Sequence, residues 1–231
     1  MKQQTQELEK LRREVQEMWS LVNLQLIKSE QALWNHDTEL ARDVMAREPR
    51  INARELKLDS LSENFLALFH PVAVDLRMTL AIMKMATNLE RIGDFADGIA
   101  RFVVKSQAVA SSNLLLNKLQ LQVMFAVVRD MLERIHNALD KEDAQVAGSV
   151  LAMDDMLDDI NRAATQIIAD FIIANPADAV YALHLYSISH KLERIGDHCN
   201  NIAEEIIFFI EAKVLKHSMN ADDSPEVDIE H

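Results

Sequence analysis

One five-residue word occurs twice in this chain, Glu90-Arg91-Ile92-Gly93-Asp94 and Glu193-Arg194-Ile195-Gly196-Asp197. The copies stand 103 positions apart in 231 residues, a domain-sized period much longer than the repeats of stacked solenoids. Each copy closes a run that reads as helix, Lys84 to Leu89 before the first and Ser187 to Leu192 before the second. The chain is therefore read as one domain plan used twice.

Composition says what kind of plan. With 49% hydrophobic and 26% charged residues the chain is globular and long enough for a real core. Only 4 Gly, 4 Pro and 5% aromatics accompany abundant Leu, Ala, Met, Glu and Lys. That mixture favours helix and disfavours a turn-rich sheet, so the expected fold class is all-α.

Hydrophobic periodicity divides the chain into helices. Leu8, Leu11, Val15, Met18, Leu21, Val22 and Leu26 recur at three- and four-residue intervals and predict a first helix over Glu7 to Trp34. A second runs from Asp37, its N-cap, to about Phe69, with Pro49 expected to kink or break it. A third runs from about Val72 to Val104 and carries the first copy of the word. Ser106 to Asn113 reads as the link between halves. The second half repeats the plan with helices from about Leu114 to Leu139, Asp143 to Ala174 and Ala179 to Lys216, interrupted at Asn175-Pro176.

The predicted architecture is two tandem, similar three-helix bundles, residues 1–108 and 109–217. The acidic, aromatic-free stretch 218–231 reads as a disordered tail. Laying Asp37 over Asp143 gives an offset of 106 between the second helices. That places Glu48 over Asp154, Ile51 over Leu157 and Asn52 over Asp158.

The repeated word has a chemical reading. At about 100° per residue, Met85, Leu89, Ile92, Ala96, Ile99 and Val103 form an apolar stripe, with Glu90, Asp94 and Asp97 roughly opposite. The acids are therefore expected outside the core, in an open surface site. Glu55 and Asp59 in one half, and Asp154 and Asp158 in the other, form matching i, i+4 pairs on the neighbouring helices. Carboxylates at that spacing, roughly 5–6 Å apart at Cβ, can share one cation or bridge two. Gly93 and Gly196 each weaken a helix, so their recurrence suggests the close approach of another helix or a ligand. An isolated acidic pair on a helix more often means solvation alone; recurrence at matched positions is what raises the metal reading.

Other features narrow the function. The formal charge of −13 argues against nucleic-acid binding. Met1 to Lys10 lacks the apolar core of a signal peptide, and no apolar run is long enough to span a bilayer, so a cytoplasmic protein is expected. Cys199 stands alone and reads as a small packed residue. His198 follows the second word, but Phe95 takes its place after the first, so it is not counted as a ligand. There is no phosphate-binding glycine loop, GxSxG elbow, dinucleotide fingerprint or HExxH pair, and nothing demands catalysis.

The run Pro71-Val72-Ala73-Val74-Asp75-Leu76-Arg77, followed by Lys84 and by Leu89 to Ile99, resembles the signature of the PhoU family. Leu192 to Ile202 resembles its second copy, and Lys213 to His217 its usual ending. The resemblance implies two similar three-helix bundles in a cytoplasmic regulator that represses the phosphate-starvation response. It implies an adaptor between an ABC-type phosphate transporter, especially its ATPase subunit, and a phosphate-sensing histidine kinase of the membrane. It also implies multinuclear iron or zinc clusters on surface E(D)xxxD motifs, and association as a homodimer.

Carried across, the first cluster would use Glu55, Asp59, Glu90 and Asp94 with Asp97 nearby, and the second Asp154, Asp158, Glu193 and Asp197. The halves depart from symmetry, because Asn161 and Thr165 stand at the offset equivalents of Glu55 and Asp59, and Asn52 at that of Asp158. The competing class is a carboxylate-bridged metal enzyme of the bundle type. Such di-iron sites add Glu-x-x-His pairs facing a bundle core, which the word lacks. A structural protein with merely solvated acids is the third reading.

Overall fold

The structure is a computed structural model and describes residues 2–106 and 112–212. Three long helices, α1 (Lys2–Asn35), α2 (Thr38–Phe69) and α3 (Ala73–Lys105), make the first half. The second comprises α4 (Ser112–Lys118), α5 (Leu121–Lys141), α6 (Ala144–Leu151), α7 (Asp154–Ala174) and α8 (Ala179–Glu211), with one 3-10 turn at Pro176–Asp178. Among the described residues there is no strand, and no helix is long and apolar enough to cross a membrane.

The two halves start their second helices in the same way. Asp37 Oδ1 accepts from the backbone N–H groups of Glu39 and Leu40 at 3.1 and 2.9 Å. Asp143 Oδ1 does so for Gln145 and Val146 at 2.9 and 3.1 Å. Each cap satisfies donors that would otherwise be orphaned at a helix start, and the match bears out the 106-residue offset. Within each half the helices close over a core that holds Phe65 on α2, Phe125 on α5 and Phe209 on α8 fully buried, each contributing about 1.5–3 kcal/mol.

Several boundaries differ from the periodicity. The helix that Pro49 was expected to kink or break is assigned as one continuous element. Its buried residues Val44, Ile51 and Leu58 lie on both sides of the proline, and that packing outweighs the one lost backbone donor. The equivalent helix of the second half is instead divided, at Ala152-Met153, where no proline stands. Two acids, Asp154 and Asp155, then open α7, where the helix dipole favours negative charge. The predicted fourth helix is likewise divided at Leu119-Gln120, with Gln120 in the left-handed region at φ 52°. The 108/109 boundary, most of the predicted link, the last turn of the predicted final helix and the 218–231 tail lie outside the described residues.

Helices α3 and α8 pack directly on each other and run antiparallel. Along the seam Phe102 meets Tyr181 and His184 at ring-centroid distances of 5.6 and 5.7 Å. Lys84 Nζ then donates to both oxygens of buried Glu205 at 3.1 and 2.9 Å, and Arg77 Nε donates to the Phe209 carbonyl at 3.2 Å. At the centre Phe95 and His198 meet at 5.7 Å, and these are the same position in the two copies, 103 residues apart. Equivalent residues touch each other only on the axis that relates them, so the Phe95–His198 pair marks a pseudo-twofold axis between the halves. Helices α1 and α5 pair antiparallel too, through Arg12 to Glu142 at 2.7 Å, Gln16 to Asp140 at 3.3 Å and Trp19 against His136 at 5.6 Å.

Candidate functional site

Each glycine of the repeated word marks the place where a neighbouring helix comes closest. A Cβ on Gly93 would stand 2.9 Å from Ile51 Cδ1 of α2, and one on Gly196 would meet Leu157 Cδ1 and, at 2.8 Å, Asp154 Oδ1 of α7. Ile51 and Leu157 are the residues that the 106-residue offset pairs. The recurring glycine is thus explained by helix approach, and it brings the acids of α2 and α7 against those of the word.

Locally the two words stand alike. The glutamates Glu90 and Glu193 are 13% and 17% exposed, the aspartates Asp94 and Asp197 39% and 38%, and the arginines Arg91 and Arg194 57% and 49%. Asp97 is buried and pairs with Arg101 one turn on. These values correct the expectation of an open surface site, because the glutamates and Asp97 are largely covered. Helix α3 packs against α1, α2 and α8, and α8 against α3, α5, α6 and α7, so little of either circumference is left to water.

The second site gathers Asp154, Asp158, Glu193 and Asp197 into one electrostatic cluster. Burial, and then the charges of Asp197, Asp158 and Glu193, push the Asp154 carboxyl up to about 7. Burial and Asp197 raise Glu193, partly offset by His190, whose Nδ1 lies 3.2 Å from Glu193 Oε2. Burial also raises Asp197, against the opposing pull of Arg194. Asp154 Oδ1 is buried without a hydrogen-bond partner, in the position of an acid short of positive charge.

The first site is thinner. Burial and then Asp94 raise Glu90, and Glu55 adds to the same effect from α2. Asp59 is half-buried, and among the described residues no hydrogen bond or ion pair joins it to α3. Glu48, the offset equivalent of Asp154, lies within the field of Arg101 together with Asp97 and Asp94 and accepts from Asn52 Nδ2 at 2.5 Å. Asn52 therefore occupies the place of Asp158, and the first site has one carboxylate fewer there. The i, i+4 pattern pointed to Glu55 and Asp59 instead of Glu48; the offset between the two N-caps is the signal that finds it.

The chemistry of the second site is that of an all-carboxylate donor set. Among the described residues no three His, Cys, Asp or Glu side chains converge, as they stand, on a point a metal ion could occupy. His198 lies apart from the acids, its Nδ1 2.8 Å from Asn88 Oδ1 on the seam. Burial, then Arg194 and Arg91, pull its pKa down to about 4. Cys199 is fully buried, as expected, and burial raises its thiol pKa.

Known proteins share this plan over nearly the whole chain. The PhoU domain profile matches residues 15–103 and 121–206. The phosphate-specific transport system accessory protein PhoU of Edwardsiella tarda is 28% identical over 225 residues, covering 97% of this chain and 91% of that protein. The PhoU homolog of Pseudomonas aeruginosa is 30% identical over 211 residues, covering 91% and 86%. The crystal structure of PhoU from Pseudomonas aeruginosa superposes with a TM-score of 0.83 at 29% identity, covering 90% of this chain and 99% of that one. PhoU from Streptococcus pneumoniae, at 24% identity and a TM-score of 0.82, shares the fold. The Edwardsiella tarda protein and the Pseudomonas aeruginosa homolog are named as phosphate-specific transport system accessory proteins, and neither is named for a catalysed reaction. With both copies of the word set in matched helical halves, and a family profile spanning each half, the chain belongs to the PhoU family.

Proposed function

We propose that this chain is a non-enzymatic accessory protein of a phosphate transport system, and that it acts in the cytoplasm as an adaptor. Its partners on this reading are the ATPase subunit of an ABC-type phosphate transporter and a phosphate-sensing histidine kinase, whose response it represses when phosphate is plentiful. The observation that carries the reading is full-length similarity to relatives named as phosphate transport accessory proteins. The rigid helical halves, each presenting one copy of the same word, supply what an adaptor needs.

On this reading the carboxylate sites support the docking face, and their acids, which do not converge on one point as they stand, would move together to take metal. The second site fits a hard cation best, since Asp158, Glu193 and Asp197 already raise the proton affinity of Asp154, whose Oδ1 lacks a partner. Oxygen donors alone suit a hard ion such as ferric iron better than zinc. A bound cation would supply the charge that this cluster lacks and draw α7 onto α8. In the first site Glu55, Asp59, Glu90 and Asp94, with Asp97 and Glu48, are the available donors, and with Asn52 in place of a carboxylate the site binds more weakly.

The test is a pull-down of the purified chain against the ATPase subunit and the cytoplasmic part of the kinase, with metal analysis of the same sample. Saturable binding, weakened by Asp154→Asn with Asp197→Asn, is the expected result. Absence of binding to both partners refutes the adaptor.

A further inference from the structure

Exposed apolar side chains gather at two corners of the molecule, and the corners match. Among the described residues, seven of the twelve large hydrophobic residues left exposed lie where α2 turns into α3 or where α7 turns into α8. Leu68 and Ile173, each the last residue but one of its helix, are 72% and 79% exposed. Val74 and Val180, each the second residue of the helix that follows, are 50% and 69% exposed. Leu80 and Leu183, 103 positions apart like the two words, complete the match, and Val72 adds to the first corner. Exposed hydrophobic residues scattered singly are ordinary, whereas a patch of them marks a surface that is covered by something. Core positions recur because both halves must pack, but the packing of neither half requires these outer positions to stay apolar.

Charge is missing from the same places. In a chain with 26% charged residues and a net charge of −13, residues 64–74 contain no Lys, Arg, Asp or Glu, and residues 171–190 contain only Asp178. Two copies of so acidic a chain repel each other across most of their surfaces. At the corners they can meet without setting like charges together. The corners stand on opposite sides of the Phe95–His198 pair, each roughly 25–30 Å from it along the antiparallel α3 and α8. They also differ in shape. The second opens into a cavity of about 390 Å³ whose lining includes Phe102, Val180, Tyr181 and His184, while the first offers Leu68 and Val72 as projecting side chains.

We propose that these corners are the interface between two copies of this chain, the first corner of each seated on the second corner of the other. A twofold makes that contact twice and leaves no corner free, so the assembly closes at two chains. At roughly 100 Å² for each exposed Leu, Ile or Val side chain, one corner offers about 300–400 Å² and the two together about 700 Å² per chain. A standard interface takes about 800 Å² from each partner. One corner alone falls well short of that, and the pair comes close to it. The inference goes beyond the adaptor reading and does not rest on it.

The experiment is size-exclusion chromatography with light scattering, and sedimentation equilibrium, of the full chain, with each variant's melting temperature read alongside. A dimer is expected. Val74→Lys and Val180→Asp should each raise its Kd about a hundredfold, since either substitution enters both contacts, and should leave the fold intact because both side chains are exposed. Combined in one chain they set a lysine against an aspartate at each contact and should recover about tenfold of that loss. Leu56→Asp, at an exposed leucine of α2 away from the corner, should leave the dimer unchanged. A parent that is monomeric at about 100 μM overturns the proposal, as does a dimer indifferent to both single variants. A combined variant no tighter than the single ones overturns the seating of first corner on second.

Discussion

Replacing Asp154 by asparagine should stabilise this protein, and only at neutral to alkaline pH. The carboxyl stands against Gly196 with a buried, unpartnered oxygen, and burial with four neighbouring acids, Asp197, Asp158, Glu193 and Asp155, raises it from 3.8 to about 7. A carboxyl held above its unfolded value binds a proton more tightly when folded. The penalty of ionising it is therefore absent below the unfolded pKa, accumulates as pH rises from about 4, and is complete above about 7. About three units at 1.36 kcal/mol each sets a ceiling near 4 kcal/mol, and solvent screening of a half-buried group brings this to about 2 kcal/mol. Urea denaturation in the presence of a chelator measures it. Asp154→Asn should gain about 2 kcal/mol at about pH 8 and little at about pH 4.5, with a rise of about 4–8 °C in melting temperature at the higher pH. A variant no more stable than the parent at pH 8, or stabilised equally at both, would refute the repelling cluster. Addition of a hard cation should raise the parent's melting temperature at pH 8 and affect the variant less.

The glycines give a second test. Gly196→Ala forces a methyl against Leu157 and Asp154 and should cost about 1–3 kcal/mol, whereas Gly98→Ala meets only the movable end of Lys191 and should be neutral or stabilising by up to about 1 kcal/mol; urea midpoints separate them. Removing the ammonium in Lys84→Met leaves buried Glu205 short of its seam partner and should destabilise by about 1–3 kcal/mol, with recovery in Lys84→Met/Glu205→Leu. His198, held down to about 4, should show no imidazole titration by NMR above about pH 5, and an inflection near its ordinary pKa would contradict the buried seam.

The parts of this fold that were legible in the sequence are those set by local periodicity and by repetition. The cap Asp37, the start of the matching helix at Asp143, the helix approach at the recurring glycines and the apolar stripe through Ile92 all fall where spacing placed them. The break at Ala152-Met153 has no proline to announce it, and Pro49 announces one that packing overrides. The cover over Glu90, Glu193 and Asp97 was not legible, because a helical wheel sees one helix and these acids are covered by others. Glu48 shows the middle case, since a single-helix pattern passes over it while the alignment of the two halves finds it. Nothing in the sequence states that Phe95 meets His198; that contact belongs to the packing of halves.

The seam between α3 and α8 also bears on descent. A chain consisting of only one half would leave Phe95, Phe102 and their neighbours facing water, and the complementary surface would be another copy of itself. In that pairing residue 95 would touch its own counterpart across a true twofold, as Phe95 touches His198 across the approximate one. The present chain is what joining two such subunits end to end would produce. Fusion frees the two positions to diverge, and the pairing of a phenylalanine with a neutral imidazole is a contact no symmetric ancestor could have made.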